Sequence, residues 1–99
     1  EEVHDRLGRG DDILLLDVRS REEWHICRIE GATLIPLSEL TDRLQELDLT
    51  RDVIVHCKTG QRSSRAVGML RKAGFPRVRN LRGGIVEWAR VVDPGMPTY

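Results

Sequence analysis

Short, continuous apolar runs restrict the fold of this chain more than any other feature of its sequence. Runs of this kind are typical of strands that are buried on both faces of a parallel sheet. Three clear runs and a weaker fourth are present: "ILLLDV" at 13–18, "ATLIPL" at 32–37, "VIVHC" at 53–57 and "VRNL" at 78–81. Segments with helical signals lie between them, so the sequence predicts a three-layer α/β/α domain with a central, mainly parallel sheet.

The helical segments show capping signals and apolar faces with helical spacing. The first segment has a capping box at Ser20 and Glu23. The others are "SELTDRLQEL" at 38–47, with three leucines on one face, "SSRAVGMLRKAG" at 63–74, which should end at Gly74, and "GIVEWARVV" at 84–92. We therefore expect four helices around the sheet, with Trp24 and Trp88 in the core.

The length of 99 residues fits one small domain, 1–99. The chain begins with Glu1 rather than methionine, and "EEVHDRLGRG" is typical of the end of a helix stopped by Gly8 and Gly10. We therefore expect a fragment of a longer polypeptide or a processed chain.

Charge and hydropathy exclude several classes of partner. The sixteen basic and sixteen acidic residues cancel, so no broad electric field favours nucleic acid or an anionic membrane. The longest apolar run is far shorter than a bilayer span, and no secretory signal is recognisable. We expect a soluble, cytoplasmic protein that binds neither nucleic acid nor membrane.

Cys57 ends the third apolar run, and a short polar loop follows it and leads into a helix. The N–H groups of such a loop and the positive end of the helix dipole stabilise an anion, including a thiolate. Lys58 and Arg62 add positive charge within the same few residues. We therefore expect Cys57 to have a depressed pKa and to be a nucleophile near neutral pH. The alternative is a cysteine that only completes a buried strand.

The spacing of this loop distinguishes two kinds of cysteine chemistry. In the cysteine phosphatase signature, five residues separate the cysteine from the arginine, which leaves a loop wide enough to surround a phosphate. Here four residues lie between Cys57 and Arg62: Lys58, Thr59, Gly60 and Gln61. A tighter ring of amides suits a smaller group, such as the terminal sulfur of a persulfide. A small phosphatase or arsenate reductase is the enzymatic alternative.

Four segments, in order and over nearly the whole chain, resemble the rhodanese-like sulfurtransferases. They are "LLLDVRSREEW", "RIEGATLIPLSEL", "VIVHCKTGQRSSRAV" and "VRNLRGGIVEW". The second segment departs from the usual His-Ile-Pro-Gly-Ala pattern at Arg28 and Glu30. The family usually has a strand before the helix with which this chain begins, so the resemblance implies a fragment without its N-terminal strand.

Within the family, one subgroup is especially similar. The segments "CKTGQRS", "NLRGGIVEWARVVDP" and "MPTY" resemble the C-terminal rhodanese domain of adenylyltransferase/sulfurtransferase fusions that act on sulfur carrier proteins. This similarity implies that the domain was cut from such a fusion, or that it works with a separate adenylyltransferase.

The resemblance implies sulfur transfer. We expect no cofactor, and the two distant cysteines, without a Cys-x-x-Cys motif or a close Cys/His cluster, do not suggest a metal site. Cys57 would take a sulfane sulfur from a donor such as thiosulfate or a protein persulfide, hold it as a persulfide and pass it to a thiophilic acceptor. In the adenylyltransferase setting, the acceptor would be the adenylated C-terminal glycine of a sulfur carrier protein and the product a thiocarboxylate. A rhodanese-like module that only binds a partner is the non-catalytic alternative.

The residues around Cys57 are assigned either to substrate binding or to support. Lys58 and Arg62 would steer anionic donors and acceptors, and four more residues complete the ring around the sulfur: Thr59, Gly60, Gln61 and Ser63. Arg19, at the end of the neighbouring strand, is a candidate for the same steering and equally for a structural ion pair. Asp17 would orient loops, and His56 would support the loop from the end of its strand.

Three further features have structural interpretations. Cys27 lies among apolar neighbours without a glycine loop, so it is interpreted as a buried structural thiol rather than a resolving cysteine. Gly83 and Gly84 are interpreted as a turn before a helix. His4 and His25 are expected at the surface.

Overall fold

A parallel sheet of four strands forms the centre of the computed structural model, which describes residues 13–81, 83–92 and 95–96. Its strands are β1 Ile13–Asp17, β2 Thr33–Leu34, β3 Asp52–His56 and β4 Val78–Asn80. They lie in the order β2-β1-β3-β4, and each neighbouring pair is parallel. The predicted helix end at Gly8 and Gly10 and the predicted surface position of His4 fall outside the described residues, whereas His25 is exposed as predicted.

Helices connect the strands, as the alternation of patterns predicted. They are α1 Arg21–Ile26, α2 Leu37–Leu40, α3 Gln61–Lys72 and α4 Gly84–Val91, and a 3-10 segment at Thr41–Glu46 continues α2. The end of α3 comes just before Gly74, close to the predicted position. In the described part of the chain, no helix combines the length and the apolar character that crossing a membrane would need.

Each face of the sheet carries its own apolar core because successive side chains of a strand point to opposite sides. Leu14 and Leu16 of β1 belong to the core that packs with α2 and α3. Leu15 belongs to the opposite core, together with Ile85 and Trp88 of α4. Helices therefore cover both faces, which confirms the predicted three-layer arrangement and the core position of Trp88.

The predicted strand at 32–37 is mostly wrong. β2 contains only Thr33 and Leu34, and it pairs with β1 alone at the edge of the sheet. Thr33 is exposed and Leu34 half-buried, so this strand is not buried on both faces. Pro36 stands at the N-cap of α2 and has no N–H to donate to a sheet, so the chain turns into a helix where the apolar run continues.

The predicted helix at 38–47 is helical but not regular. The α2 turn gives way to the 3-10 segment, in which Arg43 has non-helical angles of φ −120° and ψ 15°. The three leucines still face one core: Leu40 is fully buried, and Leu44 and Leu47 pack against it half-buried. Short helices depend more on packing than on propensity, so the apolar face is kept although the backbone winding changes.

Residues near α1 confirm the predicted cap and correct the position of one tryptophan. Glu23 N–H donates to Ser20 Oγ at 3.2 Å, and Ser20 N–H donates to Glu23 Oε1 at 3.0 Å, which completes the capping box. Trp24 is half-buried rather than in the core, and no residue of α1 is fully buried. The Arg28 guanidinium lies 5.0 Å from its ring centroid, in cation–π range. Cys27 is buried, as predicted.

Candidate active site

The residues after β1 and the loop after β3 lie at the same edge of the sheet. In the pairing of β1 with β3, Asp17 lies opposite His56. Val18 N–H then donates to the His56 carbonyl at 3.0 Å, and Cys57 follows directly. The carboxyl ends of neighbouring parallel strands are the usual ligand-binding edge of such a sheet, so the loop after β3 starts where a substrate site is expected.

Cys57 Sγ accepts hydrogen bonds from the loop that follows it. Gly60 N–H donates at 3.1 Å and Ser63 N–H at 3.4 Å, and Ser63 Oγ lies 3.4 Å away. Burial raises the pKa of the Cys57 thiol, but the hydrogen bonds from Ser63, Gly60 and the Arg62 N–H outweigh it, so the pKa lies below its ordinary value. This is the predicted direction, and it favours the nucleophilic thiolate.

Gly60 gives the loop the backbone shape that these contacts need. It is the N-cap of α3, and its φ of 116° is in the left-handed region that residues with a side chain rarely adopt. The turn brings its N–H and the N–H groups of Arg62 and Ser63, in the first turn of α3, to the same sulfur. The donors that the sequence predicted for an anion are therefore grouped around Cys57.

The N-terminus of α4 packs against the outside of this loop. Ile85 N–H donates to the Cys57 carbonyl at 2.9 Å, and Val86 N–H donates to the Lys58 carbonyl at 3.2 Å. A Cβ on Gly84 would lie 2.5 Å from both carbonyl oxygens. The predicted glycine turn before this helix is confirmed, and its second glycine also permits a close contact that the sequence pattern did not predict. These two hydrogen bonds hold the backbone of Cys57 and Lys58 against α4 and so fix the start of the loop.

Arg62, one of the two predicted cations of the loop, forms a bidentate ion pair with Glu23. Its guanidinium binds the two carboxylate oxygens at 2.6 and 2.9 Å, and its side chain remains 37% exposed. The same carboxylate closes the cap of α1 on Ser20. Glu23 therefore links α1 to the loop, a role that the capping pattern by itself did not reveal.

Arg19 is placed where it cannot contact a substrate from solvent. Its side chain is fully buried and pairs with the equally buried Asp17, with Nη2 at 2.7 Å from Oδ2. Nη2 also donates to the Cys27 carbonyl at 2.7 Å. Of the two roles expected for Arg19, the geometry fits the structural ion pair and not anion steering. Asp17 also accepts from the Arg19 backbone N–H at 2.9 Å, so it orders the chain after β1.

His56 is buried at the end of β3, beside the same pair. Its Nε2 lies 3.8 Å from Asp17 Oδ2. Burial lowers the pKa of His56 from 6.5 to about 4, although the Asp17 charge opposes this shift. The ring is therefore neutral near pH 7, which fits the expected supporting position under the loop.

Asn80, at the end of β4, joins the site without having been predicted. Ser63 Oγ donates to Asn80 Oδ1 at 2.6 Å, and Asn80 Nδ2 donates to the Gly60 carbonyl at 3.2 Å. The sequence could have indicated this residue, because Asn80 lies near the end of a predicted strand. β4 pairs with β3, and the carboxyl ends of parallel strands meet at one edge of the sheet.

An open cleft of about 810 Å³ lies beside the loop. It is lined by Thr59, Gly60, Gln61, Ser64, Asn80 and Gly83. Three of the predicted loop residues therefore border it, whereas Lys58 is half-buried and is held through its carbonyl by α4. The lining side chains are uncharged, and the cleft has room for an extended group next to the loop.

Known proteins match this chain along nearly its whole length. Residues 1–91 match the family described as "Rhodanese-like domain". The chain is 42% identical over 100 residues to "Probable adenylyltransferase/sulfurtransferase MoeZ" of Mycobacterium tuberculosis, covering 99% of this chain and 26% of that protein. It is 39% identical over 90 residues to "Sulfurtransferase" of Allochromatium vinosum, covering 91% of this chain and 84% of that protein. The chain thus spans about a quarter of the length of MoeZ.

The fold is shared with a solved structure. The crystal structure of the Alr3790 protein from Anabaena sp. covers 99% of this chain with a TM-score of 0.85 and 35% identity, and the chain covers 76% of it. The resemblance carried by the four sequence segments is therefore confirmed, including the similarity to adenylyltransferase/sulfurtransferase fusions. The chain belongs to the rhodanese-like domain family and is homologous to sulfurtransferases.

Proposed function

We propose that this domain is a sulfurtransferase that carries a sulfane sulfur as a persulfide on Cys57. The observation that supports this most directly is the set of donors around Cys57 Sγ, with N–H groups at 3.1 and 3.4 Å in a loop one residue shorter than the phosphatase signature. Such donors are fixed in place before negative charge arrives, as in an oxyanion hole.

The transfer has two displacement steps. The Cys57 thiolate attacks the outer sulfur of the donor, so an S–S bond to Cys57 forms and the bond to the donor breaks. With thiosulfate, sulfite leaves with the electron pair. When the acceptor is a nucleophile, such as cyanide or a thiol, it then attacks the outer sulfur of the persulfide, forms its own bond to that sulfur and releases Cys57 as a thiolate. Lys58 and Arg62 are the residues we assign to steering anionic donors and acceptors.

The proposed acceptor is the adenylated C-terminus of a sulfur carrier protein, and the product is a thiocarboxylate. The name of the MoeZ relative joins an adenylyltransferase to a sulfurtransferase, which supports an adenylyltransferase partner, fused or separate. Because this acceptor is an electrophile, the outer sulfur of the persulfide would attack the adenylated carbonyl carbon, and AMP would leave. A thiol that attacks the same sulfur would release Cys57 as a thiolate and form a mixed disulfide with the carrier. A second thiol would then reduce that disulfide and release the thiocarboxylate. The two free cysteines agree with the reducing conditions of the cytoplasm, the compartment we propose.

A sulfur-loading experiment tests the proposal. The protein is incubated with thiosulfate or with a protein persulfide, and intact mass and cyanide-dependent thiocyanate release are measured. We expect a gain of one sulfur atom that cyanide removes. Hydrolysis of a small aryl phosphate without sulfur loading would select a phosphatase instead. A folded protein that neither loads sulfur nor hydrolyses the phosphate would select a binding module.

A further inference from the structure

The Ser63 hydroxyl lies between two acceptors but has only one proton to donate. Its Oγ is 2.6 Å from Asn80 Oδ1 and 3.4 Å from Cys57 Sγ. Ser63 is fully buried, so these two atoms compete for the proton. The arrangement raises the question of which acceptor receives it in the resting protein.

The Gly60 carbonyl decides the orientation of the Asn80 amide. A carbonyl oxygen can only accept, so the Asn80 NH₂ group must face it, at 3.2 Å. The amide oxygen is then turned to Ser63, whose hydroxyl must donate to it. The lone pairs of Ser63 Oγ are left facing Sγ, where they can accept from a Cys57 thiol. A thiolate in this arrangement is bound by backbone N–H groups only.

We propose that Asn80 is a positioning residue that holds the Ser63 hydroxyl proton away from Cys57 until the sulfur becomes negatively charged. When the thiolate forms, the hydroxyl rotates: its hydrogen bond to Asn80 Oδ1 breaks, and one to Sγ forms. No proton leaves Ser63 in this rotation. Asn80 is also exposed in the cleft, so a substrate bound there can contact the amide that sets the orientation.

This proposal adds a positioning residue to the proposed function. Only the role of the hydroxyl in sulfur transfer rests on that function. In the second displacement, Cys57 leaves the outer sulfur with the electron pair and becomes a thiolate again. The Ser63 hydroxyl would then turn towards the leaving sulfur. The competition itself exists in the resting protein, so it can be measured without any sulfur donor.

Other titratable or charged groups lie around Cys57 and remain unchanged in the experiment. His56 precedes it on β3, and the Asp17–Arg19 pair lies at the end of β1. Lys58 follows it in the loop, and α3 and α4 contribute Arg62 and Glu87 in their first turns. None of these groups is altered in the Asn80 and Ser63 variants, so differences among the variants report on the two altered side chains.

The experiment compares variants by the pH dependence of alkylation of Cys57 with iodoacetamide. All variants carry Cys27→Ser, so that one thiol reports. In Asn80→Asp the carboxylate holds the hydroxyl by a charge-assisted hydrogen bond, which is about twice as strong as a neutral one. We expect the pKa of Cys57 to rise by about one unit, which means roughly tenfold slower alkylation below that pKa. Asn80→Ala removes the competing acceptor, so the pKa should stay the same or fall.

A double-mutant cycle separates the hydroxyl from simple charge repulsion. In a Ser63→Ala background, Asn80→Asp should shift the pKa clearly less than in native Ser63. Ser64→Asp is the matched control, because Ser64 lines the same cleft, whereas the Ser63 hydroxyl has its contacts with Asn80 and Cys57. Its effect on the pKa should be the same with Ser63 and with Ala at that position.

Two results would overturn the proposal. One is an equal shift from Asn80→Asp with and without the Ser63 hydroxyl, which would leave only charge repulsion. The other is a rise in the pKa for Asn80→Ala, which would mean that Asn80 merely supports the loop. Circular dichroism establishes that each variant is folded. Failure of sulfur loading with a confirmed pKa cycle would count against the proposed function alone.

Discussion

Cys27 and Cys57 are both buried free thiols, but their surroundings differ in one physical respect. The Cys27 sulfur lies 3.8 Å from a guanidinium nitrogen of Arg19, whose charge is already matched by Asp17. The Cys57 sulfur faces backbone N–H groups at 3.1 and 3.4 Å. We call the first group, Asp17, Arg19 and Cys27, the ion-pair cluster, and the second, Cys57, Gly60 and Ser63, the amide ring. Both thiols are buried, so burial does not distinguish them. They differ because the N–H groups that face Cys57 are not matched by an anion, whereas the guanidinium near Cys27 is.

The largest expected difference between the two groups is in sulfur transfer. Cys57→Ser should abolish both the gain of one sulfur atom and thiocyanate release, because it removes the attacking thiolate. Cys27→Ser should retain both. The measurement is intact mass after thiosulfate treatment together with thiocyanate release. Loss of transfer in a folded Cys27→Ser protein would make Cys27 a relay and would end the distinction drawn above.

The width of the amide ring can be tested by adding one glycine. Insertion of glycine between Gly60 and Gln61 restores the five-residue spacing of the phosphatase signature without adding charge or bulk. The added residue should move the N–H groups away from the sulfur, so we expect thiosulfate activity to fall by roughly a hundredfold or more, the range seen when an oxyanion-hole donor is removed. The ion-pair cluster should be unaffected, as measured by stability to urea. If the widened loop transfers sulfur as fast as the native one, ring size does not select the reacting atom.

Substitutions in the ion-pair cluster should lower the free energy of unfolding rather than change sulfur transfer. Asp17→Asn leaves the buried Arg19 charge without its partner, and breaking a buried pair in this way costs about 3–5 kcal/mol of unfolding free energy. Glu23→Gln is the matched control, since Gln can still close the capping box and the Arg62 pair is partly exposed. We expect about 1 kcal/mol or less there. Urea denaturation measures both, and similar costs for the two variants would contradict the comparison.

His56 links the two groups and should make stability depend on pH. The folded protein keeps the ring neutral down to its pKa of about 4, whereas the unfolded chain binds a proton below 6.5. The unfolded state therefore binds more protons, and stability should fall as the pH is lowered from 6.5 to 4. The difference in pKa corresponds to roughly 3 kcal/mol. His56→Leu should lose this dependence in urea denaturation, while His25→Leu, at an exposed position, should keep it.

The smallest expected effect is on the ionisation of Cys57 itself. The hydrogen bonds of the amide ring lower the pKa of this thiol, so its rate of alkylation in Cys27→Ser protein should titrate below the ordinary thiol value of about 8.5. Rapid-mixing alkylation over a pH series measures the inflection. An inflection at or above the ordinary value would show that burial outweighs the loop donors.

Most of the fold follows from local patterns in the sequence. Continuous apolar runs predicted β1 and β3, and helical spacing with capping signals predicted α1, α3 and α4. The same signals misassigned most of 32–37, because an apolar run does not show that the regular strand ends at Leu34 and that a helix follows Pro36. They also gave a regular helix at 38–47, because leucine spacing records which face is buried but not the winding of the backbone between the leucines.

The sequence by itself determined that Cys57 stands between a strand and a helix, in a loop with four residues before Arg62. Only the tertiary structure decided which side chains act on that loop. Asn80 at the end of β4 contacts the loop through Ser63, although it lies seventeen residues further along the chain. The N-terminus of α4 binds the loop carbonyls from the outside. The Arg19 side chain is buried and pairs with Asp17 instead of facing a substrate. The physical reason is that periodicity and capping are local, whereas hydrogen bonds between distant residues depend on how the helices pack on the sheet.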